Sequence, residues 1–549
     1  MFALSETIKA RMNDGLKTFC CFIDIRKAYD RVSRGGLWLH MWNMGIRGKA
    51  WRVIQDMYER VQSCVRVNGR KLEWFDINVG VRQGCVLSPI LFSVFFNGLA
   101  KAVKDAGLGV PIGRGRKMAL LLYADDIVLT ARNASDLQKM ITVVDEYSRK
   151  WRFDMNEDKT EVVVYGGADE SGGEGEEYTV RSGKRLKVVH EYRYLGMEVG
   201  KGGGWSSFRK RLIARARARL NFAWTLGVHT GHTSVRTAVE IWRTMVCPIL
   251  DWGAEIWPTD EVNKWAEAET MQKDVMRRIL QCRSKTTTEA VRGELGWWTM
   301  KGRRTMLRLR YWGRLVRMDD DRLVKAVYLR ARLRYEVLKE KNWCSYTHTL
   351  LKQVGLGSSW TSDDAEDEDG WNAKVKEKVH EHEQKRWKAG MATKTKLRTY
   401  TKVKTKLEQE EYLASEDEWG RVLMAQIRTG SSRLRIEEGR HSGLEAKERT
   451  CEVCNSGEVE DEEHFMLRCP AYDTERKSLR AAGPRAMTSI TEALDGTMPS
   501  AEKTMIYMRR AWKIRSAAMA ELRRRRDERK KAELRRKRCE RNKVERRTG

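Results

Sequence analysis

Between Leu120 and Leu129 an apolar run is interrupted only by two adjacent acids, Asp125 and Asp126. Strand-forming residues on both sides of so short a polar pair predict a tight β-hairpin with the two carboxylates at its tip. Phe22-Ile23-Asp24-Ile25 repeats the anomaly, because it sets one carboxylate inside a strand-like apolar segment. An unpaired charge there costs several kcal/mol or shifts its pKa, so Asp24 needs a cation or a partner. Around these segments the pattern is helical. Trp38 to Val61 predicts two helices broken at Gly45 to Gly48. Ser88 as N-cap and Pro89 as first residue open a helix that runs through Leu91, Val94, Phe95, Leu99 and Val103 to Gly107. Ser135 to Gln138 has capping-box spacing ahead of a face made by Met140, Ile141, Val144 and Tyr147. Asn68-Gly69 joins Cys64–Val67 to Leu72–Ile77 as a second hairpin, Glu161 to Tyr165 reads as a strand, and Gly166 to Glu177 reads as a Gly- and acid-rich loop.

Beyond residue 205 the periodicity stays helical and turns basic, with Arg209, Lys210, Arg211, Arg215, Arg217 and Arg219 crowded together. Asp363 to Gly370 is an acidic run that reads as a linker, and Arg523 to Arg547 is a helix-capable basic stretch with no apolar face. The whole chain of 549 residues carries 106 Lys and Arg against 76 Asp and Glu, a formal charge of +30 that suits a polyanionic partner. No stretch reaches the roughly 18 to 20 apolar residues of a membrane span, so no membrane partner is expected and the reading is a soluble intracellular protein of nucleus and cytoplasm. Eleven cysteines, an odd number, do not form a secreted disulfide framework and are expected to be reduced.

One set of cysteines has ligand spacing. Cys451 and Cys454 are two residues apart, and His464 and Cys469 follow. Four protein ligands of this kind close a tetrahedral Zn²⁺ site, which makes it structural because no position is left for water.

Phe22 to Val32, Gly80 to Pro89, Tyr123 to Asp126, Met155 to Thr160 and Tyr194 to Gly196 resemble, in order, the palm motifs of reverse transcriptases from non-LTR (LINE-type) retrotransposons. That resemblance implies an α+β right-hand polymerase: an antiparallel palm sheet with packed helices, a helical thumb, and a helix-rich C-terminal region with a small zinc module. It assigns Asp24, Asp125 and Asp126 to two catalytic Mg²⁺ ions, Asp126 less directly. Lys159 falls where an amine approaches the leaving pyrophosphate. Tyr29 packs under the incoming sugar, while Gln83, Gly84 and Tyr123 are nucleotide or template contacts. Tyr194, Leu195 and Gly196 form the primer grip, and Asp30 takes a structural role. The implied partners are an RNA template, a DNA primer or target, and dNTPs. The Cys/His segment resembles the C-terminal module of several such proteins. Fingers and endonuclease would lie upstream of residue 1, so the chain is expected to be part of a longer reading frame or a truncated copy.

The expected organisation is palm 1–200, thumb 201–320, connector 321–440, CCHC zinc module 441–475 and basic helical tail 476–549. The expected function is RNA-directed DNA synthesis by two-metal nucleotidyl transfer. A catalytically inactive nucleic-acid-binding remnant is the main alternative, and a zinc-containing interaction protein is a third.

Overall fold

A computed structural model describes residues 1–166, 177–225, 227, 233–257, 265–362, 367–481 and 488–548. Most of the Gly- and acid-rich loop and the first half of the acidic run lie outside them. The second half of that run is no linker, since Glu368 to Gly370 begin the helix Glu368–Ala392 and Asp367 accepts from the Gly370 N–H at 2.7 Å. The described residues form two compact units: 1–212 with 253–260 and 308–372, and 213–252 with 261–307 and 373–549. These units cut across the expected bounds at 200, 320 and 440.

In the first unit α1 (Phe2–Asn13) leads to β1 (Thr18–Ile23), whose six residues are all buried. Next come α2 (Arg34–Asn43) and α3 (Gly48–Glu59), the two helices expected from the break at Gly45. Two nested pairs follow, β2 (Gln62–Ser63) with β5 (Phe75–Asp76) around β3 (Arg66–Val67) with β4 (Arg70–Lys71). Then come α4 (Ser88–Asp105), the hairpin β6 (Val110–Gly113) and β7 (Arg116–Met118), and the hairpin β8 (Leu120–Tyr123) and β9 (Asp126–Ala131). The series ends with α5 (Ala134–Trp151), β10 (Glu161–Tyr165), β11 (Lys187–Val188), β12 (Glu191–Tyr194) and β13 (Met197–Gly200).

The main sheet has the order β11-β10-β1-β9-β8. It is antiparallel as expected except at its edge, where β10 and β11 run parallel. One face carries α4 and α5 over a core of Phe95, Leu99, Leu129, Met140 and Val144. A Cβ on Gly98 of α4 would collide with Tyr147 and His40, so only glycine lets these helices meet there. Two caps sit elsewhere than the sequence implied. Asn133 caps α5, accepting from the Asp136 N–H at 2.7 Å, and Leu87 precedes α4, so Ser88 is already helical. An Asn two residues upstream offers the same acceptor geometry as the expected Ser135.

The second unit is helical around a buried ion cluster. Arg428, at the end of the helix Glu418–Arg428, donates through Nε to both oxygens of Glu294 at 3.2 and 3.1 Å and pairs with Glu410 at 2.8 Å. Tyr412 donates to the same Glu294 carboxylate. The helix Ser500–Thr548 is no detached tail, because Met505, Tyr507, Met508 and Ala511 are buried. Tyr507 donates to the Phe465 carbonyl at 2.7 Å and Arg515 pairs with Glu460 at 2.7 Å.

Candidate active site

β1 ends one residue before Asp24, and its register places Ile23 opposite Ile127, so Asp24 and Asp126 lie at the same end of neighbouring strands. The β8–β9 turn is Ala124-Asp125, with Ala124 at φ +52°. Only Asp125 is at the tip. Asp126 is paired with Tyr123 inside the ladder, one step further in than the sequence implied, because the two-residue turn begins at Ala124. Burial raises the Asp126 carboxyl above its ordinary range, and the nearby charges of Asp125 and Asp24 add to the rise.

Asp24 is held from the opposite side. Asn156 donates to its Oδ2 at 2.9 Å, Lys159 Nζ stands 4.0 Å from the same oxygen, and the Asn156 N–H donates to the Asp24 carbonyl at 2.8 Å. Asn156 was within a motif but carried no expected role; a polar residue in an irregular loop has no periodicity to give it away. The three carboxylates suit a hard cation, which takes oxygen ligands and relieves their mutual repulsion.

A cleft of about 770 Å³ opens here, and Asp24, Tyr29, Gln83, Asp125, Asn156 and Lys159 line it. Tyr29 is stacked on Phe92 with centroids 4.8 Å apart. Gln83 donates to Asp30 Oδ1 at 3.0 Å, which fits the structural role expected of Asp30. Gly80, at φ +86°, passes so close to the turn that follows Asp24 that a Cβ would sit 2.8 Å from the Asp30 carbonyl oxygen. Gly84 also has φ +86°, but its missing Cβ faces open space, so the turn alone requires it. Gly84, Tyr123 and Asp126 are not among the residues that line the cleft.

The β12–β13 hairpin turns at Leu195-Gly196, with φ +50° and +74°. Tyr192 stacks on Phe22 at 4.2 Å, Tyr194 is buried against the same ring at 5.7 Å, and Arg211 donates to the Gly196 carbonyl at 2.5 Å. The hairpin is thereby fixed to the strand that leads into Asp24.

In the second unit Cys451, Cys454, His464 and Cys469 converge, with their ligand atoms within 4.8 Å of one another. His464 Nδ1 contacts Glu458 Oε2 at 2.9 Å and Nε2 contacts Cys454 Sγ at 3.4 Å, so a carboxylate orients the ring toward the sulfurs. A hydrogen bond from Cys469 pulls Cys451 below the ordinary thiol range, and the same bond pushes Cys469 up. Burial works to lower His464, but Cys451 and Glu458 outweigh it and raise the imidazole to about 9. Three cysteine sulfurs and one imidazole converging on one point have the chemistry of a Zn²⁺ site.

Residues 3–199 match the family model described as reverse transcriptase (RNA-dependent DNA polymerase). The chain is 26% identical over 271 residues to the RNA-directed DNA polymerase from mobile element jockey of Drosophila funebris, covering 47% of this chain and 28% of that protein. It is 27% identical over 204 residues to the Pol polyprotein from type-1 retrotransposable element R2 of Popillia japonica, covering 36% and 34%. Among solved structures, telomerase from Candida albicans with a fragment of telomeric RNA is similar at 12% identity and TM-score 0.31, covering 71% of this chain and 52% of that one. The chain thus spans about a third or less of the length of these two curated relatives. No helix among the described residues is long and apolar enough to cross a membrane.

Proposed function

Because residues 3–199 are a reverse transcriptase domain of the non-LTR retrotransposon kind, we propose that this chain supplies RNA-directed DNA polymerase activity, extending a DNA primer on an RNA template with dNTPs. One observation carries the reading: Asp24, Asp125, Tyr29, Gln83 and Lys159, drawn from four separate motifs, line a single cleft. Asp24 and Asp125, with Asp126 behind them, are the residues that would hold catalytic Mg²⁺. When bound, such ions supply charge neutralisation for an in-line displacement at phosphorus.

The protein's own groups do the rest. Asn156 and Lys159 hold the Asp24 carboxylate in place, and Lys159 brings a proton toward the leaving pyrophosphate. Tyr29, backed by Phe92, closes the space a 2′-hydroxyl needs. Gln83 supports the nucleotide from within the cleft, Gly84 shapes the turn that carries it, Tyr123 meets the template from the exposed end of β8, and Tyr194, Leu195 and Gly196 position the primer end. Cys451, Cys454, His464 and Cys469 hold one structural Zn²⁺. The basic helices after residue 205 serve as the thumb, and the terminal basic helix adds salt-sensitive affinity for nucleic acid in the nucleus or cytoplasm.

Extension of oligo(dT) on poly(rA) with Mg²⁺ tests the reading. The expected result is synthesis by the full chain and none by Asp125→Ala, with unfolding of the variant unchanged because the substitution also removes a repulsion. Tight primer–template binding without extension would favour the inactive remnant instead.

A further inference from the structure

The second unit holds a cavity of about 230 Å³ that the polymerase reading does not use. Its inner part is aromatic: Trp242 and Trp297 are buried and stacked, with centroids 5.6 Å apart at 15°. Trp298 completes the wall. Its position is set by two bonds, its indole N–H donating to His380 Nδ1 at 3.2 Å and its carbonyl accepting from Gln272 at 3.0 Å. Trp242 opens a single π-helical turn, Trp242–Val246, a local widening that occurs frequently at functional sites.

Cations complete the lining, with no carboxylate among the lining residues: Arg303, Arg243 and Lys376. Arg303 is anchored by two N–H groups to Asp251 Oδ2, at 3.1 and 2.6 Å. Arg243 and Lys376 are exposed, and Arg243 makes a surface pair with Glu240 at 3.3 Å, the kind of pair a phosphate displaces at little cost.

We propose that this cavity binds one unstacked base of single-stranded nucleic acid, stacked against Trp298, with Arg243 and Lys376 taking the flanking phosphates. A flat aromatic wall accepts any base face, while cations at the mouth select a polyanion over a neutral aromatic compound. The volume suits one base and not a stacked pair. The site shares no lining residue with the Asp24 cleft and needs neither metal nor free dNTP.

The test is photocrosslinking of the full chain, without Mg²⁺ or dNTPs, to decamers carrying 5-iodouridine or 5-iododeoxyuridine, with the modified peptide located by mass spectrometry. The expected crosslink falls within residues 296–306. Its yield should drop about tenfold in Trp298→Ala, as loss of one stacking partner predicts. It should persist in Trp298→Phe and fall in the surface variant Arg243→Ala/Lys376→Ala, which leaves the buried aromatics untouched. The ribose and deoxyribose decamers show which nucleic acid the pocket prefers. Crosslinks only elsewhere in the chain, or a 296–306 crosslink indifferent to the double surface variant, would overturn the proposal.

Discussion

Asp24 shows how a single side chain can be legible in type and illegible in setting. Its charge inside an apolar, strand-like run of sequence marks it at once, as the adjacent acids mark Asp125 and Asp126, although the strand itself ends at Ile23. Nothing in the sequence says that Asn156 holds its Oδ2 at 2.9 Å, because that contact joins residues 132 positions apart. Asn156 is a positioning residue, and Asn156→Ala should lower extension rate about 10- to 100-fold and move the Mg²⁺ titration midpoint upward, the usual cost of losing a partner that orients a ligand. A rate loss with an unmoved Mg²⁺ midpoint would assign it a merely structural part. Tyr29→Ala should raise ribonucleotide incorporation relative to deoxynucleotide, read by competing the two in single-nucleotide extension. Because Tyr29 also stacks on Phe92, Tyr29→Phe is the control that keeps the stack and should keep the discrimination.

Elements were readable where periodicity is strong, and their ends were not. α4 and α5 announce themselves by one apolar face each, yet their first turns begin after Leu87, which offers no side-chain cap, and after Asn133, one of several nearby polar residues able to accept a first-turn N–H. The cluster that joins the helix Glu418–Arg428 to Glu294 and Glu410 leaves no pattern at all: charged residues on helices ordinarily read as solvated faces. Arg428→Met should destabilise the second unit by about 3–5 kcal/mol, because it leaves Glu294 buried without its cation and Glu410 with Lys404 alone. Burial already raises the Glu410 carboxyl above its ordinary range. A carboxyl whose folded pKa exceeds its unfolded one lowers stability as pH rises through that raised value. The variant's deficit should therefore be smaller in mild acid than at neutral pH, measured by denaturant unfolding at both. An equal deficit at the two would remove the uncompensated carboxylates as its cause.

At the scale of the whole molecule, the sequence suggested a small, charged terminal module folded mainly by its metal. The ligand set converges as the spacing implied, but the segment also has an apolar core, with Phe465 packed on Tyr472 and Trp512 and Gly420 closing against Met505. Met505 and Trp512 are apolar residues spread thinly through a basic helix, where charge hides them. The full chain should bind one Zn²⁺ by elemental analysis, with affinity falling as pH falls because the thiols must ionise. Strong chelator, or Cys454→Ser, should expose the cysteines to thiol reagents while most of the helix Ser500–Thr548 survives in the far-ultraviolet signal. Retention of full cysteine protection in chelator would leave the four residues as ordinary side chains.

That helix has a further consequence in its linear charge density. From Arg523 to Arg547 there are fifteen Lys or Arg and five Asp or Glu, and helical rise spreads the surplus over about 37 Å. One net positive charge then falls roughly every 3.7 Å, against one phosphate about every 3.4 Å along a strand of duplex DNA. A rod of this kind is nearly commensurate with a nucleic-acid backbone, so a proline that breaks it would spoil the match in spacing while leaving the net charge unchanged.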